Sequence, residues 1–192
     1  MFYPYTSSPQ KIANLKTTND RGVYGVACLH DRVFILTQYE EIDVYRKNAS
    51  QYRKLRGIQI SELVTPSDVA ACKIKGRLYI SDSRNYGIWQ VRRPLDANAE
   101  IKKFVEVRKA KGLSVTPDGR LVVITEVPHN IFVYLPDRRL SMQVSLSNLK
   151  IEAPFQAVLN EDDQFILCSG LTKNQSHKVL KISSTGLVQV RK

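Results

Sequence analysis

The sequence predicts an all-β fold, a β-propeller of four-stranded antiparallel blades, on three observations. Four tight turns recur at residues 32, 76, 119 and 163, spaced 44, 43 and 44 residues apart. Each turn is followed by a strongly apolar run and preceded by a shorter one. No segment sustains a helical period over eleven residues. A unit of 40–45 residues built from four short strands is the signature of a propeller blade.

The elements follow in order. The stretches at 24–30, 67–74, 111–117 and 155–161 (YGVACLH, SDVAACKI, KGLSVTP, FQAVLNE) form a first strand, a. His30-Asp31-Arg32, Lys75-Gly76, Asp118-Gly119 and Asp162-Asp163 supply the Gly- and Asp-rich chemistry of hairpin turns. The runs at 33–37, 77–83, 120–126 and 164–169 form strand b, and 42–45, 88–91, 131–134 and 179–182 form strand c. A more polar fourth segment closes each unit at 51–58, 101–107, 139–146 and 186–191, as expected of an outer strand, d. The blades are expected at about 21–64, 65–109, 110–152 and 153–192, with a lone outer strand at 11–17 inside an N-terminal segment, 1–20. Four blades and a spare strand read as part of a five- or six-bladed propeller.

Composition narrows the function classes. The chain has 192 residues, 43% hydrophobic and 24% charged, an ordinary globular balance. Cys28, Cys72 and Cys168 cannot all pair and none lies in a CxxC, which fits a reducing compartment and a cytoplasmic location. No stretch approaches 18 apolar residues and no signal peptide is expected, so no membrane partner is. The sequons at Asn48 and Asn174 are read as chance matches.

Residues 66–88 read Pro-x-Asp-Val-Ala, a turn, then Gly-Arg-Leu-Tyr-Ile-Ser-Asp-Ser-x-Asn-x-x-Ile. This pattern resembles an NHL repeat, well in the second blade, moderately in the third, and only as a hydrophobic skeleton in the others. The resemblance implies a five- or six-bladed ring, protein partners, and in some members single-stranded RNA bound on the face of the b–c and d–a loops.

The residue types that carry catalysis are scattered along the repeats. His30 sits in an a–b turn while His129 and His177 sit in b–c loops, at opposite ends of a blade, so a three-His zinc site is not expected. Asp68, Glu161 and Asp162 lie nearest the axial strands but not together, and read as surface acids and not as a calcium cluster. Cys28 and Cys72 are placed in an apolar slot of strand a, with Val115 and Leu159 as their equivalents. Trp89 reads as packing between blades. No cofactor, metal or small-molecule substrate is expected.

The net charge of +11 is concentrated. Residues 46–57 carry five Lys/Arg and no acid, and residues 84–111 carry eight against three acids. Guarding of the outer strands accounts for most of this. The remainder selects Tyr39, Arg84, Asn85, Tyr86, Arg108, Lys109, Lys111, His129 and Lys173 as candidates on the b–c and d–a loop face, where cations and aromatic planes would suit RNA. The function expected from sequence is therefore a non-catalytic, NHL-like scaffold for protein partners. Single-stranded RNA binding is the alternative, and a metal-dependent propeller lyase or hydrolase is the alternative from another class.

Overall fold

The structure is a computed structural model that describes residues 22–38, 41–48, 51–149, 151, 153–170, 178–185 and 188–190. The segment 1–20, with its expected lone strand, and Tyr39, Lys173 and His177 lie outside the described residues.

Among the described residues, sixteen strands form four sheets, each antiparallel and each in sequence order. Blade 1 is β1 (Val23–Leu29), β2 (Arg32–Thr37), β3 (Glu41–Asn48) and β4 (Gln51–Gln59). Blade 2 is β5 (Pro66–Cys72), β6 (Arg77–Asp82), β7 (Gly87–Arg92) and β8 (Glu100–Glu106). Blade 3 is β9 (Ala110–Val115), β10 (Leu121–Thr125), β11 (Asn130–Tyr134) and β12 (Leu140–Ser145). Blade 4 is β13 (Pro154–Leu159), β14 (Gln164–Ser169), β15 (Lys178–Ser183) and β16 (Val188–Val190). One 3-10 turn, Ser147–Leu149, links the last two blades. The four-stranded antiparallel blades expected from the turn spacing are thus present.

Position in the blade explains the composition of each strand. β6 and β10 are covered on both faces by neighbouring blades, so they are continuous apolar runs, RLYIS and LVVIT, and are buried almost throughout. The fourth strands alternate exposed with covered residues because one face and one edge meet solvent. Each a–b turn places one residue in the left-handed region: His30, Gly76, Gly119 and Asp163 have φ of 53°, 57°, 87° and 54°. Asn160 reinforces the last turn, its Oδ1 accepting from the backbone N–H groups of Asp162 and Gln164.

The core lies between blades. Phe34, Leu36, Ile42 and Val44 of blade 1 meet Val69, Leu78, Ile80 and Val91 of blade 2, with Trp89 packed against them. Tyr79 and Phe104 of blade 2 meet Leu121, Val123 and Tyr134 of blade 3, and the Tyr79 and Phe104 rings make an edge contact at 4.9 Å. Val122, Ile124, Ile131 and Val133 meet Phe165, Leu167, Leu180 and Ile182 of blade 4. The inner strands β1, β5, β9 and β13 lie side by side in that order.

The cysteine alignment needs a correction. Cys28 is exposed while Cys72 is buried. The a–b turn of blade 1 spans two residues between paired Leu29 and Arg32, whereas that of blade 2 spans four between Cys72 and Arg77. Counting back from the turn therefore shifts the register by one, and Cys28 is equivalent to Ala71. A one-residue shift moves a side chain to the opposite face.

All four inner strands share one irregularity. Pairing jumps by one residue between Val23 and Gly25, between Pro66 and Asp68, and between Pro154 and Gln156. In blade 3 the jump falls opposite Val123 and Thr125, within Lys111-Gly112. Each is a β-bulge with one extra residue: Tyr24, Ser67, Lys111 and Phe155. The residue that follows is Gly25, Asp68, Gly112 or Gln156.

Blades 1 and 3 use glycine at this following position because neighbouring strands press on it. A Cβ on Gly112 would stand 2.0 Å from the Phe155 carbonyl oxygen and 2.1 Å from Gln156 Oε1; one on Gly25 would stand 2.7 Å from Asp68 Oδ1. Gly76, at positive φ, has no atom within 4 Å of the same construction. Gly112→Ala is therefore expected to destabilise the chain by about 3 kcal/mol, at the upper range of overpacking. Gly76→Ala is expected to cost only about 1 kcal/mol for its left-handed backbone. Urea unfolding of the two variants checks this; equal losses would show that Gly112 is not a close-approach position.

Candidate functional site at the axial mouth

The bulges converge. Tyr24, Ser67, Asp68, Lys111, Gly112, Phe155 and Gln156 line one cavity of about 300 Å³ where the four inner strands begin. Every bulge contributes to this wall. Bulges commonly re-aim side chains beside functional sites, because the extra residue breaks the in–out alternation of the strand.

Asp68 is the chemical centre of the cavity. It lies at the bulge of β5 and is largely withdrawn from water, which corrects its expected place as a surface acid. Its Oδ1 accepts from the Val69 N–H at 2.8 Å and its Oδ2 from the Leu113 N–H of blade 3, also at 2.8 Å. Burial is the strongest influence on its ionisation and pushes the pKa up from 3.8 to about 6; the two N–H groups and the Gln156 amide oppose the rise. The ionisation of this carboxyl is thus moved toward neutrality.

Gln156 approaches from blade 4. Its Nε2 donates to the Leu113 carbonyl at 2.9 Å, and its Oε1 is buried without a partner. Asp68 and Gln156 therefore grip the N–H and the C=O of one residue, Leu113. Lys111 Nζ lies 3.4 Å from Glu126 Oε2, while its carbonyl accepts from the Ser81 hydroxyl at 2.6 Å. Tyr24 and Phe155 supply aromatic walls that remain 44% and 36% exposed.

The sequence-selected loop residues divide. Tyr86 and Arg108 do meet, the guanidinium carbon standing 5.7 Å from the ring centroid. Arg84 and Lys109 are exposed near them on the same loops. Asn85 has a structural task instead: its Nδ2 donates to the Glu62 carbonyl at 2.7 Å. Beside it, fully buried Asp82 accepts from the N–H groups of Val64, Thr65, Arg84 and Asn85 at 2.7–3.3 Å. These two residues pin the linker between blades 1 and 2. Lys111 belongs to the axial cavity. His129 is half-buried with an unpartnered Nδ1, and no hydrogen bond, ion pair or ring contact joins it to Tyr86 or Arg108 among the described residues.

Much of the remaining basic charge is engaged. Arg46 pairs with Asp31 at 2.9 Å, Lys54 with Asp43 at 2.5 Å, and Arg56 donates to the Pro94 carbonyl at 2.8 Å. Among the described residues, no group of three His, Cys, Asp or Glu side chains is placed to hold a metal, and no helix is long and apolar enough to cross a membrane.

No protein-family model matches the sequence, and no curated protein does. Solved structures match the fold. Virginiamycin B lyase from Staphylococcus aureus superposes with a TM-score of 0.65 at 17% identity, over 91% of this chain and 57% of that one. A gluconolactonase from Xanthomonas campestris gives 0.63 at 14% identity, over 88% and 61%. A chain of the nidogen–laminin complex gives 0.63 at 15%, over 85% and 61%. The fold is a β-propeller, and the chain spans little more than half the length of these structures. The comparison corrects the expectation of a non-catalytic interaction scaffold. That expectation rested on the failure of zinc and calcium constellations to converge, yet the neighbours of this fold include a lyase and a lactonase.

The raised pKa of Asp68 carries a consequence for stability. The folded protein holds this proton more tightly than the unfolded chain does, so stability falls as pH rises from about 4 through about 6. The ionised carboxylate costs about 3 kcal/mol above that window. Urea unfolding at pH 4.5 and 7.5 is expected to show about 2 kcal/mol of this loss in the wild type. The part due to Asp68 disappears in Asp68→Asn, which does not titrate; parallel pH profiles would refute the assignment.

Proposed function

We propose that the protein binds a small polar molecule at the axial mouth and performs acid–base chemistry on it, with Asp68 moving the proton. The observation that carries this reading is a largely buried carboxyl with a pKa of about 6 in the wall of the cavity where all four bulges meet. A general acid or base works best when its pKa lies near the operating pH.

Hydrolysis of a lactone suits the groups present. The Asp68 carboxylate takes a proton from a water as its oxygen bonds to the ester carbonyl carbon. The ammonium of Lys111 attracts the negative charge that develops on the carbonyl oxygen. The ring C–O bond then breaks, and Asp68 returns the proton to the departing alkoxide. One water is consumed and one hydroxy acid released. The NHL-like signature of the second blade is compatible with this reading, because Asp82 and Asn85 are occupied in holding a linker and not in the cavity.

The test is a hydrolysis assay on D-glucono-1,5-lactone, followed against pH. The rate is expected to rise through about pH 6 and level off above it, since the base must be ionised. Asp68→Asn is expected to lower kcat by about 100-fold or more, as loss of a general base does, with a folded protein verified by thermal melting. A rate that is flat across pH 5–8, or unchanged in the variant, would refute the role of Asp68.

A further inference from the structure

The polar groups of the axial cavity also specify what kind of molecule it takes, on the reading that this cavity is the working site. Gln156 Oε1 is a buried acceptor with no donor. Its orientation is not arbitrary: the amide nitrogen is committed to the Leu113 carbonyl, so the oxygen is the free end. A buried acceptor left empty is destabilising, and a donor entering the cavity relieves that cost. Asp68 stands beside this acceptor: its oxygens accept the Val69 and Leu113 N–H groups and it interacts with the Gln156 amide, yet a carboxylate has lone-pair sites for a further donor.

The two acceptors are neighbours: both side chains hold Leu113, and the Gln156 amide acts directly on Asp68. A ligand that satisfies both must present two adjacent donors. Sulfate and ionised dicarboxylates present only acceptors and are disfavoured by this pair. Tyr24 and Phe155 are exposed aromatic surfaces at the same mouth, suited to the C–H face of a ring. A cavity of about 300 Å³ fits one ring with its substituents.

We infer that the axial mouth recognises a polyhydroxylated ring of monosaccharide size, with neighbouring hydroxyls donating to Asp68 and to Gln156 Oε1. Gln156 is then a specificity-determining residue. It takes no part in the proton transfer.

The test compares D-glucono-1,5-lactone with δ-valerolactone, the same ring without hydroxyls, in hydrolysis by the intact chain. A site built to bond hydroxyls rejects an analogue that lacks them by large factors. The expected preference for the hydroxylated lactone is about 100-fold or more in kcat/KM, expressed mainly in KM. Gln156→Leu is expected to lower kcat/KM far more on the hydroxylated lactone than on δ-valerolactone, so that the preference collapses. The wild-type comparison stands without the variant, should the lost Leu113 contact impair folding. Equal turnover of both lactones would overturn this inference and leave the acid–base role of Asp68 in place. If neither lactone is hydrolysed, saturation-transfer NMR with methyl β-D-glucopyranoside decides. Saturation that vanishes in Gln156→Leu would retain the sugar-like ligand and remove the hydrolytic reading, and no saturation would remove both.

Discussion

One extra residue near the start of each inner strand governs this molecule. A regular strand would alternate its side chains between the two blade faces, and in the two middle blades both faces are already filled by the inter-blade core. The bulge breaks that alternation at one level only. Tyr24, Ser67, Lys111 and Phe155 can then line a cavity at the axis while Ala27, Val69, Leu113 and Ala157 remain in the core. The site exists because the same local irregularity is repeated at the same depth in four blades.

That arrangement leaves room for few large side chains. The inner strands crowd together at the bulge, and the following position alternates Gly25, Asp68, Gly112, Gln156. Asp68 lies against Gly25, and Gln156 against Gly112. Two polar side chains are accommodated because two neighbours have none. The same pair stitches three blades together through Leu113. Local order at the cavity is therefore inseparable from blade packing, and ionising Asp68 near neutrality works against both.

The fold was legible in the sequence because blades advertise themselves through turn chemistry, and the turns at 32, 76, 119 and 163 lie close to the hairpins that form. The polar fourth strands and the packing of Trp89 were legible for similar reasons of burial. The site was legible only in part. Lys111 stands out by its charge, whereas Asp68 reads as a surface acid because no second acid stands with it. Its burial depends on Leu113, 45 residues away in sequence, and on the absence of a side chain at Gly25. Cys28 and Cys72 were equated for a related reason: distance from a turn measures register only when turns have equal length.

A signal for the site was nevertheless present. The first strands open with Tyr-Gly, Ser-Asp, Lys-Gly and Phe-Gln at 24, 67, 111 and 155. Ahead of otherwise apolar runs, a glycine or polar residue at a fixed repeat position is poor strand chemistry. Propensity is violated there four times at spacings of 43, 44 and 44. A single violation would be noise, whereas one that keeps the period of the fold marks a layer of the structure where packing has yielded to another demand. In a propeller such a layer is a ring around the axis, so its residues are close in space however far apart they stand in the chain. Reading repeats for their shared exceptions, as well as their shared core, brings Asp68 and Gln156 to one site before any side chain is placed.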